Sequence, residues 1–118
     1  MTLHLVLKEE IERRYADRLR EATQLSQDAI VLKLMNGAVI EFRWANEREY
    51  AVSWRWGDAM LRIDTAPLHP ELATFPNHLH DADGALRADP ITQCGADPLE
   101  NAGRLIDALA ADPMLRPA

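Results

Sequence analysis

Cysteine is almost absent. Cys94 stands alone among 118 residues, which excludes an intrachain disulfide and a cysteine-based zinc cluster. Long apolar runs are missing too: none approaches the roughly 18–20 residues of a membrane span. The amino terminus has no basic start followed by an apolar stretch, so no signal peptide is expected and the cytoplasm is the expected setting. Cations are scarce in one half only. Residues 63–118 hold 3 basic and 9 acidic side chains, residues 1–62 hold 10 of each, and the formal net charge is −6. That balance argues against an extended nucleic-acid groove and leaves room for a small anion site in the amino-terminal half. With 47% hydrophobic and 27% charged residues, the composition is that of a globular chain, and the length suits one domain over 1–118.

Apolar residues at steps of three and four, Leu7, Ile11, Tyr15, Leu19, Ala22 and Leu25, predict an amphipathic helix over about residues 5–26. From Ile30 the period becomes two. A three-residue loop with Gly37 in a left-handed bulge position pairs Leu32 with Ile40 and Ile30 with Phe42. A two-residue Asn-Gly turn would instead mix the faces. Loops at Ala45–Glu49 and Gly57-Asp58 continue the same register, pairing Trp44 with Tyr50 and Trp54 with Leu61. One face then carries Ile40, Phe42, Trp44, Tyr50, Val52, Trp54, Leu61 and Ile63 as core, and the other carries Glu41, Arg43, Ser53, Arg55, Met60, Arg62 and Asp64. The alternation predicts a four-stranded antiparallel meander over 30–65.

Prolines at 67, 70 and 76 are too many for an inner strand, so residues 66–84 are expected as a long ordered loop anchored by Leu68, Leu72 and Phe75. A short strand near Ala85–Ala88 follows. Asp97, Pro98 and Glu100 are start signals for a closing helix over about 98–111, stopped by Pro113. The fold class is α+β: an amino-terminal amphipathic helix packed on the meander, a histidine-containing loop and a carboxy-terminal helix. The strand Ile30–Leu34 would be an exposed edge able to pair with a second copy in a homo-oligomer.

Chemistry concentrates at Arg62, Asp64, His69, His78 and His80. Arg62 and Asp64 are two apart on one strand and share its polar face, and three of the four histidines fall within residues 69–80. His78 and His80 would lie on one side of an extended segment. Elsewhere the signals are structural: Trp44 and Trp54 belong to the core face, with Trp56 the exposed tryptophan. Asp81-Ala82-Asp83-Gly84 is a turn lacking the remaining ligands of a calcium loop, and His4 belongs to the fraying terminus.

The run from Arg62 to His80, RIDTAPLHPELATFPNHLH, with the Asn-Gly hairpin before it, resembles the TumE family of small toxin–antitoxin proteins over about residues 36–80. That family has a tyrosine-and-aspartate strand, an Ala-Pro-His step and a Phe-Pro-His-His-Lys-His-like run. Here Ile63 and Leu68 stand where the family tends to have tyrosine and histidine, and Asn77 and Leu79 replace a histidine and a lysine. The resemblance implies a toxin with a cognate antitoxin protein as partner.

Three kinds of chemistry are open to this cluster. In metal-independent RNA cleavage, two of His69, His78 and His80 would serve as base and acid, Asp64 would orient one, and Arg62 with Arg55 would hold the phosphate, with no cofactor. Alternatively, His78, His80 and Asp64 would ligate a divalent transition metal such as zinc, leaving a position for water. In the third, nothing is catalysed: the histidine loop shapes a protein-interaction surface and the imidazoles bond loop carbonyls.

Overall fold

The alternating apolar pattern folds as a single antiparallel sheet in the computed structural model, which describes residues 3–116. The elements are α1 (Leu3–Tyr15), a 3-10 turn (Ala16–Arg18), β1 (Gln24–Ser26), β2 (Ala29–Lys33), β3 (Val39–Asn46) and β4 (Glu49–Trp56). They continue with β5 (Ala59–Asp64), β6 (His78–His80), β7 (Leu86–Ala88) and α2 (Pro98–Ala111). The strands lie side by side in chain order from β1 to β7. Within β2–β5 the expected register is found: Leu32 faces Ile40, Phe42 faces Val52 and Trp54 faces Leu61. Gly37 adopts a φ of 94°, the left-handed geometry that a bulged three-residue loop requires and glycine supplies without strain.

The α+β class holds, but the sheet has seven strands rather than four. The helix expected over 5–26 ends at Tyr15, and the chain then turns back along β2. Leu19 bridges Leu34, the Arg20 N–H donates to the Lys33 carbonyl at 2.7 Å, and β1 pairs with β2. The apolar spacing of Leu19, Ala22 and Leu25 therefore matches a helix by coincidence. The unsatisfied backbone edge of β2 outweighs the modest helix preference of Ala22-Thr23-Gln24-Leu25. It follows that Ile30–Leu34 is not a free edge: β1 pairs with its start, and Leu19 and Arg20 meet its end.

A second difference lies in the loop expected over 66–84, which contains β6. Its pairing sets Arg62 opposite His80, Ile63 opposite Leu79 and Asp64 opposite His78. Three residues just after Pro76 carry little strand signal of their own, and the edge of β5 supplies the partner. Leu68 and Phe75 are not anchors, being 70% and 44% exposed. Hydrogen bonds hold the loop instead. Thr65 exchanges bonds with Tyr50, Thr74 Oγ1 donates to the Asn77 carbonyl at 2.8 Å, and buried Asn77 donates to the Tyr50 hydroxyl at 2.7 Å and to Asp89 at 3.0 Å.

Both helices cover one face. Leu7 and Ile11 of α1 and Ala102, Leu105, Ile106 and Leu109 of α2 join the inward residues of the sheet in one buried cluster. Phe42 and Trp44 stack with centroids 4.9 Å apart, and Trp54 Nε1 donates to the Pro113 carbonyl at 2.7 Å, pinning the end of α2 to the sheet. Asp97 caps α2 by accepting from the Leu99 N–H. No helix among the described residues is long and apolar enough to cross a membrane. Leu79 is fully buried in this core and holds β6 in place between its two histidines. Leu79→Ala should cost about 2–5 kcal/mol, read as a lower urea midpoint at unchanged slope. The exposed neighbour Met60→Ala should stay within about 0.5 kcal/mol.

Candidate functional site

Because side chains alternate along a strand, burying Ile63 and Leu79 turns Arg62, Asp64, His78 and His80 to the face away from the helices. Asp64 is the last residue of β5 and its carboxylate is the centre of the cluster. Oδ1 accepts from the Ala66 N–H at 3.0 Å and faces His78 Nε2 at 3.0 Å. Oδ2 accepts from Arg62 Nε at 2.9 Å and has His80 Nε2 at 3.9 Å. The Ala66 contact is an Asx-type turn, the aspartate side chain bonding the backbone two residues on, and it starts the loop. Burial raises the pKa of Asp64. The Ala66 N–H, the Arg62 guanidinium and the charge of His78 outweigh that rise, so the carboxyl is held below its ordinary value. Asp64 is therefore a carboxylate at neutral pH.

The histidines occupy different environments. The His78 side chain is 2% exposed and the His80 side chain 44%. His78 is the middle ring of three: His69 meets it edge-on at 5.0 Å and His80 at 4.9 Å. Its Nδ1 lies 3.1 Å from the Pro76 carbonyl. A carbonyl only accepts, so that contact is a hydrogen bond only when Nδ1 carries the proton. Nε2 then has just the Asp64 carboxylate before it. In a ring protonated on Nδ1 alone, two lone pairs face each other there, an arrangement that positive charge between them relieves. His69 is partly exposed on the loop, with Nδ1 3.6 Å from Glu71.

Five of the residues singled out in the sequence, Arg62, Asp64, His69, His78 and His80, thus come together. Arg55 does not join them. It faces Met60 across the ladder while Arg62 faces Ser53, which places Arg55 diagonally beyond Arg62 on the side away from Asp64. Two backbone groups complete the site, the Ala66 N–H and the Pro76 carbonyl, and no residue type announces either. His4 is not at a loose end: its Nε2 accepts from the Trp44 N–H at 3.2 Å, remote from the cluster. The Asp81–Gly84 segment is the β6–β7 turn, Asp81 accepting from the Asp83 and Ala85 N–H groups.

Fold and cluster define a small α+β protein carrying a histidine–carboxylate site at the rim of an open antiparallel sheet. The family model described as Toxin TumE matches residues 2–110, and the chain belongs to the TumE toxin family. No curated protein and no solved structure matches the chain. Membership supports a toxin role and implies, in general, an antitoxin partner.

Asp64→Asn keeps the shape of the residue and removes the charge on which Arg62, His78 and Ala66 converge. Loss of these charge-assisted bonds should lower stability by about 1.5–3 kcal/mol, measured by urea denaturation at neutral pH. An unchanged midpoint would show that the carboxylate does not organise the site.

Proposed function

We propose that this TumE-family toxin cleaves RNA in the cytoplasm at the Arg62–Asp64–His80 edge and is neutralised by a cognate antitoxin. One observation carries the proposal: an exposed imidazole and an exposed guanidinium converge on one buried, ionised carboxylate. Such a group matches the needs of transesterification. His80 accepts the proton of the ribose 2′-hydroxyl as its oxygen attacks the adjacent phosphorus, Asp64 steadies the imidazolium that results, and Arg62 offsets charge on the phosphorane. The bond to the 5′-oxygen breaks, and that oxygen takes a proton from protonated His69, the other accessible imidazole. The products are a 2′,3′-cyclic phosphate and a 5′-hydroxyl. His78, enclosed and held at both nitrogens, positions Asp64 and does not touch substrate. The site needs only a local positive spot, which is compatible with a net charge of −6. The large exposed side chains of Leu68 and Phe75 on the adjoining loop offer apolar contact to a protein inhibitor.

The test is cleavage of a synthetic single-stranded RNA by purified full-length protein in the presence of chelator, with product ends identified by mass. The expected result is cyclic-phosphate ends, with a loss of about 10²–10⁴-fold in rate for His80→Ala. Arg62→Ala and His69→Ala should each lose rate. Absence of cleavage by the wild type, or equal cleavage by His80→Ala, would overturn the assignment.

A further inference from the structure

The opposition of His78 Nε2 and the Asp64 carboxylate has a consequence beyond proton transfer. We propose that Asp64, His78 and His80 form a site for one divalent transition-metal ion of the zinc type. One donor atom from each residue lies within 4.8 Å of the other two. Ligand–zinc distances near 2.0–2.2 Å place neighbouring donors of a tetrahedral ion about 3.3–3.5 Å apart. The His78 contact of 3.0 Å is to Oδ1 and the His80 contact of 3.9 Å to Oδ2, so binding one ion through a single donor from each residue calls for rotation of the exposed His80 ring or of the carboxylate.

The second observation is independent of the spacing. A metal-ligating histidine characteristically donates its other ring N–H to a carbonyl or carboxylate, which fixes the tautomer and points the free lone pair at the ion. His78 has this arrangement: Nδ1 is on the Pro76 carbonyl at 3.1 Å, Nε2 is turned to Asp64, and the ring is almost wholly buried. The carboxylate is fixed as well, by the Ala66 N–H. Two imidazoles and one carboxylate are a donor set suited to zinc rather than to calcium or magnesium. Exposure on the His80 side leaves the fourth position for water or another small ligand. Arg62 is the one adverse group: its positive charge sits 2.9 Å from Oδ2 and competes with the ion for the carboxylate.

That competition makes the site testable apart from catalysis. Zinc chloride is titrated into chelator-treated full-length protein by calorimetry, and cobalt(II) is added separately to read its visible d–d bands. One ion per chain is expected, with micromolar or tighter affinity and tetrahedral cobalt bands. His80→Ala, at an exposed position compatible with an intact fold, should weaken binding at least tenfold. Arg62→Gln should strengthen it several-fold, and His69→Ala should leave it unchanged. A merely structural His78–Asp64 ion pair would move none of these readouts. No ion bound, or binding unaffected by His80→Ala, would overturn the site. On the ribonuclease reading, zinc on His80 Nε2 also leaves the ring with its remaining nitrogen protonated and no lone pair for the 2′-hydroxyl proton, which stops cleavage. Stoichiometric binding without inhibition would preserve the metal site and overturn the role of His80 in cleavage.

Discussion

The carboxylate of Asp64 is the constraint on which the rim of this molecule depends. It terminates β5, begins the proline-rich loop through the Ala66 N–H, and faces Arg62, His78 and His80. Three positively charged or chargeable side chains and one backbone donor share two oxygens, and desolvation makes each of those contacts stronger than it would be in water. The same carboxylate therefore shapes the loop and sets the electrostatics of the site. Removing the charge would leave buried His78 and Arg62 without the carboxylate that pairs with both.

The rest of the fold serves that placement. Ile63 and Leu79, both buried and opposite one another, lock β6 onto β5 with their side chains in the core, which turns the flanking polar residues outward as a group. Asn77, next to His78, points the other way and ties the loop to Tyr50, Asp89 and Thr92 beneath the sheet. Leu79 and Asn77 are also two of the positions where the chain differs from the resembled family pattern, and each has a structural role here: one fills the core, the other anchors the loop. The residues that touch solvent at the site are those left over from this packing: Arg62, His80 and the loop-borne His69.

How much of this was legible in the sequence follows from where the ordering forces are local. Across β2–β5, one buried face and period-two alternation make every one-residue slip costly, so register could be derived residue by residue from Ile30 to Ile63. The elements that escaped are those created by pairing demand rather than by pattern. β1 carries helix-compatible spacing yet forms because β2 needs a partner, and β6 is three residues long close behind Pro76 yet forms because β5 has an open edge. In the site, the polar alternation of Arg62 and Asp64 and the His-X-His spacing were enough to gather five side chains. Arg55 shares their face but sits too far along the ladder to join them. The Pro76 carbonyl and the burial of His78 could not be read from residue types, and they separate an enclosed histidine from an accessible one.

The most direct test of the central claim is the protonation pattern of the His78 ring, read by imidazole nitrogen NMR on isotopically labelled full-length protein at neutral pH. The account predicts a proton on Nδ1, donated to the Pro76 carbonyl, with Nε2 turned to Asp64 and its resonance shifted when Asp64 is replaced by asparagine. A bare Nδ1 with the only proton on Nε2 would contradict it, because His78 would then be an ordinary neutral donor to Asp64 and no cation would be needed between them.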